Sequence, residues 1–351
     1  MEGLFVLVAM EGPPSSSSDA VSPGHAPNPR NKLASPVMEW VDWSDAFVRA
    51  TSWLDDVHAQ ITQGGDVQSG MESLHRGLRT LRRKWDREEW RRFCLEAVRT
   101  HPLREVIHQC PFTRHAFERP RGYAGDAELI DYLYNDHAHV DGLEYQGREI
   151  YRYMHDQPSA RSVRERRELL AAELDATAER VHLPRILSVA CGHLREAELS
   201  TAVRDHRLGE LIAFDQDPLC LAEIARVFPT GPVRTVCGSV RSMLLGKTSF
   251  RDMDFVYSAG LYDYLAEGTA ARLTRLLFHM LRSGGKLLVA NFAVFPPETG
   301  YMEAFMDWWL VYRDESQMRA LTAEIDPSEL AEVKLFRDSV DNVIYLSLTR
   351  R

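Results

Sequence analysis

Arg185-Ile186-Leu187-Ser188-Val189-Ala190-Cys191-Gly192-His193 is a short apolar run that ends in small residues. A second apolar run, Leu211 to Phe214, is closed by an acid, Asp215. A strand buried inside a parallel sheet reads as such an uninterrupted run. Small residues at its carboxyl end let a ligand approach the backbone. An acid at the end of the next strand is the usual partner of two ribose hydroxyls. Together these features predict a nucleoside cofactor lying across the carboxyl edge of a doubly wound α/β sheet.

Outward from this pair, strands and helices alternate. Residues 186–190, 211–214, 233–237, 254–258 and 286–291 read as five strands, the last introduced by the Ser283-Gly284-Gly285 turn. Helices are predicted to begin at 196–203 and to span 219–227 and 270–281. This alternation implies a parallel sheet with right-handed crossovers. The ending breaks the rhythm. Residues 333–337 and 343–348 are two strands separated only by 338–342, which suits a hairpin.

The region before the sheet is helical. Trp40, Trp43, Phe47, Leu54, Val57 and Ile61 recur at helical spacing, and Gly64-Gly65 stops that helix. A second helix is predicted over 74–98, with Leu74, Leu78, Leu81 and Trp85 inward. Its other face carries Arg76, Arg79, Arg82, Arg83, Lys84, Arg87, Arg91 and Arg92, read as a solvated face with Glu88 and Glu89 as local partners. Residues 127–134 read as a short helix. A longer one follows, capped by Ser159 or Ser162, with Val163, Leu169, Leu170 and Leu174 inward.

Composition bounds the function. The chain has 351 residues, 44% hydrophobic and 26% charged, enough for a large core. A net charge of −9 speaks against a broad nucleic-acid footprint. The five cysteines form no CxxC pair, which suits a reducing cytoplasm, no disulfide framework and no metal site. Leu4 to Met10 is too short for a secretory core or a membrane span, and residues 11–37 are rich in Pro and Ser. The expected organisation is a disordered segment 1–37, a helical lid and substrate domain 38–180, and a cofactor-binding domain 181–351. A soluble cytoplasmic protein acting on a small molecule is expected, with no nucleic acid or membrane partner and with a homodimer left open.

At this point the chain resembles the class I S-adenosylmethionine-dependent methyltransferases, whose Rossmann-like, mostly parallel seven-stranded sheet has an antiparallel last strand. Three segments also resemble a bacterial subgroup described as extracellular-factor, or hydroxy-fatty-acid methyl ester, biosynthesis methyltransferases. They are Arg121-Gly122-Tyr123-Ala124-Gly125-Asp126, Tyr257-Ser258-Ala259-Gly260-Leu261-Tyr262-Asp263-Tyr264-Leu265 and Met306-Asp307-Trp308-Trp309-Leu310-Val311-Tyr312-Arg313. There are departures. The turn usually written G-x-G-x-G is Ala190-Cys191-Gly192-His193-Leu194, and Ser188 stands where the first strand commonly has an acid.

The resemblance implies S-adenosylmethionine as cofactor and assigns positions to it. Ala190, Cys191 and Gly192 approach it by backbone. Asp215, with Gln216 beside it, meets the ribose, while Asp217 before Pro218 suits a helix cap. Gly238, Ser239 and Val240 edge the adenine. Ser258, Ala259 and Gly260 face the reaction centre. Tyr262 and Tyr264 either attract the sulfonium through their ring faces or pack with their leucine neighbours. In the loop 121–126, Tyr123 is a candidate for the sulfonium or substrate. Asp126 accepts from the cofactor's ammonium or caps the next helix, and Arg121 holds a carboxylate. Arg164 and Arg167 are further carboxylate candidates. His193 is a candidate base or a loop filler, with His115 and His155 as outsiders. Between Phe292 and Arg313, the aromatics Phe292, Tyr301, Phe305 and Trp309, with Arg313, are expected to line the pocket of an apolar or aromatic acceptor.

The predicted reaction is methyl transfer to a carboxyl or other oxygen of a small molecule, with C- or N-methylation in natural-product biosynthesis as the alternative. Two readings of other classes compete. An NAD-dependent oxidoreductase would also use Asp215 but lacks GxGxxG. A non-catalytic module would regulate a partner through the arginine-rich helix.

Overall fold

The structure is a computed structural model that describes residues 43–63, 66–134, 140 and 142–351. The expected disordered segment 1–37, Trp40 and the Gly64-Gly65 stop lie outside the described residues. Seven strands form one sheet: β1 (Arg185–Val189), β2 (Glu210–Asp215), β3 (Val233–Cys237), β4 (Met253–Ser258), β5 (Leu281–Phe292), β6 (Leu330–Arg337) and β7 (Val343–Arg350). Their order is β3-β2-β1-β4-β5-β7-β6. β1 to β5 pair in parallel, and β7 runs antiparallel to both β5 and β6. This is the expected Rossmann-like, mostly parallel sheet with an antiparallel last strand. The chain leaves β1 for β2 and β3, then returns to β4 on the other side of β1. That reversal opens a crevice at the carboxyl ends of β1 and β4.

The apolar runs form strands because both faces of the sheet are covered. Side chains alternate across it: Ile186, Leu211, Ala213, Phe255 and Tyr257 join the core beneath the helices that precede β1. Leu187, Val189, Ile212, Phe214 and Val256 join the core on the opposite face, with Leu273 and Leu277 of the helix Glu267–His279. Each fully buried Leu or Ile contributes roughly 1.5–3 kcal/mol relative to an exposed one.

Several expected elements differ. Residues 74–98 are not one helix. Val67–Lys84 ends at Trp85, and Arg87–Glu96 starts anew from Asp86, whose carboxylate accepts from the Glu88 and Glu89 amides while Glu89 reaches back. That reciprocal cap fixes a second start that outweighs the apolar stripe. The long helix is Pro158–Arg180, capped by neither Ser159 nor Ser162. Gln157 precedes it and Pro158 supplies the first turn, where a missing N–H is harmless. The helix expected from 196 is split at Ser200 into Arg195–Leu199 and Thr201–Arg204. The Ser283-Gly284-Gly285 turn is an irregularity inside β5, which already pairs at Leu281 with Met253 and resumes at Lys286 with Phe255. After β5 there is only the short helix Thr299–Phe305 and then irregular chain to Arg313. Thr299–Phe305 is buried against the helix Val67–Lys84, and Glu303 accepts from Trp90 Nε1 at 2.6 Å and pairs with Arg82.

Candidate active site

The carboxyl ends of β1 to β4, with parts of the helices before β1, enclose a cavity of about 490 Å³. Small-molecule and cofactor sites commonly fall between roughly 300 and 1,000 Å³. β1 enters it through the turn 190–194. Ala190, Gly192 and Leu194 each have φ of +54°. Ala and Leu therefore stand in two of the three left-handed positions of the turn. Gly192 has a second constraint: a Cβ there would lie 3.2 Å from the Cβ of Ala127, so the helix Ala127–Tyr134 sits directly on the turn. A left-handed L-residue costs about 1–2 kcal/mol, against about 0.4–1 kcal/mol for the extra unfolded-state freedom of glycine. Ala190→Gly is thus expected to stabilise the protein by about 0.5–1 kcal/mol, read from the urea midpoint at unchanged m-value.

β2 ends at Asp215, 6% exposed. Its carboxylate accepts from the Gly192 and Asp217 amides, each at 2.9 Å. Burial pushes this carboxyl up, and those amide bonds oppose the shift. Gln216 lines the cavity beside it. Asp217 caps the helix Pro218–Val227 through the Leu219 amide at 2.8 Å. After β3, Gly238, Ser239 and Val240 all line the cavity. The Gly238 amide donates to the Asp215 carbonyl, and Ser239 caps the helix Val240–Leu244, so its hydroxyl is partly engaged by the backbone. Ala259 and Gly260 line the cavity after β4. Ser258 does not: its hydroxyl donates to the Val189 carbonyl at 2.9 Å and ties β4 to β1.

The segment before β1 contributes Tyr123 and Gly125, and Ala127, Ile130, Asp131 and Tyr134 of the next helix. A Cβ on Gly125 would lie 2.1 Å from the Tyr264 hydroxyl and 2.7 Å from the Trp308 ring, so only glycine permits this approach. Trp308 Nε1 donates to that hydroxyl at 2.7 Å. Burial and then the Asp215 charge push the Tyr123 phenol well up, which favours its protonated form.

His193 lines the cavity and is 7% exposed. Its Nδ1 is 2.8 Å from Asp131 Oδ2, and its Nε2 is buried without a partner. A carboxylate only accepts, so Nδ1 carries a proton, and in the neutral ring Nε2 is then the nitrogen with the lone pair. Arg195 grips Asp131 at 2.6 and 2.9 Å. Burial raises the Asp131 carboxyl, but bonds from Arg195 and His193 outweigh it and hold it below the usual range.

Several expected site residues lie elsewhere. Asp126 is fully buried, caps the Ala127–Tyr134 helix through the Leu129 amide at 2.8 Å and faces His115 Nε2 at 2.9 Å. Arg121 pairs with Asp217 at 2.9 Å. Tyr262 is fully buried against the opposite core and shares a 3.0 Å bond with Thr274. Phe292 is core, its amide donating to Asp263 at 2.7 Å. Tyr301 stacks between His75 and Phe305 and bonds Thr113. Trp309 donates to Asp307 at 2.8 Å, and Arg313 is 2% exposed beneath backbone carbonyls. The expected aromatic lining from 292–313 is therefore interior packing. The cavity's apolar wall comes instead from Ile130, Leu170, Leu244, Leu261 and Leu265.

Sequence reading also missed lining residues. Arg164 and Arg167 were named as further carboxylate candidates, but the residue that reaches the cavity is Arg166, 7% exposed, with one N–H on the Ala259 carbonyl. Arg164 meets His155 and Arg167 lies over the Tyr134 ring at 4.3 Å. Glu196, 8% exposed, accepts from the Tyr257 hydroxyl at 2.7 Å, and both line the cavity. The helical spacing of Val163, Leu170 and Leu174 also puts Arg166 on the inward face, which was the available signal.

No protein-family model matches the chain, and no curated protein does. Among solved structures it is similar to a possible exported protein from Bordetella parapertussis, at 16% identity over 86% of this chain and 96% of that one, with a TM-score of 0.56. Others are the S-adenosylmethionine-dependent methyltransferase SibL in its apo form (19% identity, 71% and 73% covered, TM-score 0.44) and the N-methyltransferase NodS from Bradyrhizobium japonicum in complex with S-adenosyl-L-homocysteine (15%, 64% and 97%, 0.41). At such identities the likeness is one of fold. No described helix is long and apolar enough to cross a membrane.

Proposed function

We propose that the protein transfers a methyl group from S-adenosylmethionine to a small-molecule acceptor, a carboxyl or other oxygen of an apolar or aromatic metabolite. One observation carries this reading: a buried acid at the end of β2 and a left-handed turn at the end of β1 open into one cavity at the sheet's switch point. These groups fit the cofactor. Asp215 retains acceptor capacity for ribose hydroxyls, and the turn brings backbone close enough that a Cβ on Gly192 would crowd the neighbouring helix. The 238–240 segment edges the same cavity for adenine.

When bound, the sulfonium supplies an electrophilic methyl group in line with the acceptor's nucleophilic atom. The chain's own work is alignment, exclusion of water and proton removal. The region 38–180 acts in this reading as the lid, with Tyr123, Ile130 and Tyr134 closing the cavity against the domain 181–351. A carboxylate acceptor needs no base. A hydroxyl gives its proton to His193 Nε2, with Asp131 fixing the tautomer.

The direct test is calorimetry of the full chain with S-adenosylmethionine, S-adenosylhomocysteine and NAD. Micromolar binding of the first two supports the reading, and binding of NAD alone overturns it in favour of a dehydrogenase. The base is checked without an acceptor. Imidazole 15N NMR is expected to find His193 protonated at Nδ1, and Asp131→Asn to give a mixture of tautomers, since an amide both donates and accepts. An Nε2–H tautomer in the intact protein would remove His193 from the role.

A further inference from the structure

We propose that Arg166 and Glu196 hold the two ends of the cofactor's amino-acid head, the guanidinium its carboxylate and the carboxylate its ammonium. This rests on the methyltransferase reading and assigns a part of the site where the chain departs from the pattern it resembles. The departure is Ser188, which stands in β1 where an acid is common. Ser188 pairs in register with Tyr257 of β4. The Tyr257 hydroxyl donates to Glu196 Oε1 at 2.7 Å, and all three residues line the cavity. The carboxylate missing from β1 is thus supplied, over the same part of the sheet, by the helix Arg195–Leu199.

Charge accounting leads to the same pair. Asp131 and Arg195 neutralise each other, and Asp215 serves the amides of Gly192 and Asp217. Arg166 and Glu196 are buried to more than nine-tenths and line the cavity; the Arg166 charge acts at a distance on Glu196 and on the buried Asp263, but neither carboxylate is in direct ion-pair contact with it. A buried charge is stable only when matched. A zwitterion placed between them matches both. Burial also pushes the Glu196 carboxyl up, opposed by Tyr257 and Arg166, and an ammonium beside it would favour the ionised form.

Position completes the argument. The Arg166 guanidinium is tied to Ala259, just past the end of β4, and Glu196 lies over β1 and β4. Asp215 ends β2, and Gly238 to Val240 follow β3. Since the strands run β3-β2-β1-β4, an extended ligand along this edge meets adenine, ribose and head sites in its own covalent order.

The experiment compares S-adenosylhomocysteine with 5′-methylthioadenosine, which keeps the nucleoside and thioether and lacks the amino-acid head, by calorimetry on the full chain. The intact protein is expected to prefer S-adenosylhomocysteine by about tenfold or more, and Arg166→Gln to erase that preference while methylthioadenosine affinity stays within about twofold. Arg166→Lys should retain part of it, because the charge remains. Glu196→Gln should lose it as Arg166→Gln does, and it carries the test if Arg166→Gln does not fold. Equal affinity of the intact protein for the two ligands would sink the proposal and leave the nucleoside site standing. A parallel loss of both ligands in Arg166→Gln would make Arg166 a prop for Ala259, which also sinks it. Failure of the intact protein to bind either ligand would remove the cofactor reading itself.

Discussion

Asp215→Ala is expected to weaken S-adenosylmethionine and S-adenosylhomocysteine binding by about 100-fold or more, read by calorimetry. The size follows from the site. A hydrogen bond to a charged group contributes about 1.5–3 kcal/mol, and two ribose hydroxyls would each make one. Every tenfold in affinity is about 1.4 kcal/mol. The alanine also orphans the Gly192 and Asp217 amides, so the turn that shapes the cavity loses its anchor. Asp215→Asn keeps an oxygen acceptor and the side-chain shape, and should fall between the two. Binding by Asp215→Ala within a few-fold of the intact protein would exclude Asp215 from the ribose role.

Arg313→Ala is expected to lower unfolding free energy by about 3–5 kcal/mol, the loss that follows removal of one partner from a buried charged network. The Arg313 guanidinium donates to the Tyr262 carbonyl at 2.7 Å, the Leu265 carbonyl at 2.5 Å and the Asn291 side-chain oxygen. Deletion leaves these acceptors buried and unpaired, and strips a positive neighbour from Asp263. Burial already raises the Asp263 carboxyl to about 7, against the Phe292 amide and the nearby Arg166 and Arg313 charges. A carboxyl raised in the folded state loses stability as pH rises from its unfolded value towards and through its folded one. The deficit of Arg313→Ala should therefore be larger at pH 8 than at pH 5 in urea unfolding. Cofactor affinity below the unfolding midpoint should be unchanged, since Arg313 does not line the cavity. Normal unfolding combined with lost acceptor binding would return Arg313 to the substrate role its sequence position suggested.

These two residues mark what was legible in the sequence. Asp215 was readable because topology alone puts the end of β2 at the ligand edge, whatever the side chains around it. The same holds for Ala190 to Gly192 and Gly238 to Val240. Arg313, Tyr301 and Phe305 were misplaced because aromatic and basic composition does not say which side of a segment is buried. The helix Thr299–Phe305 turns inward and is buried along its whole length. Asp131 and Glu196 were missed because their position depends on how helices dock, which no local pattern records, whereas Arg166 was overlooked although the spacing of Val163, Leu170 and Leu174 puts it on the inward face of its helix. The break at Trp85 and Asp86 was different: the Asp86 to Glu89 spacing announces a helix start, and the apolar stripe through Trp85 obscured it.

The place of β7 has a consequence for how the molecule is made. β7 lies between β5 and β6, both of which precede it in the chain. During synthesis from the amino end, β5 must wait with one edge unpaired until residues 343–350 emerge. An open apolar edge of that kind recruits other chains. Five parallel strands can gather early, but the sheet is sealed by an insertion made last. Aggregation of nascent or stalled chains should therefore depend on the arrival of one eight-residue segment.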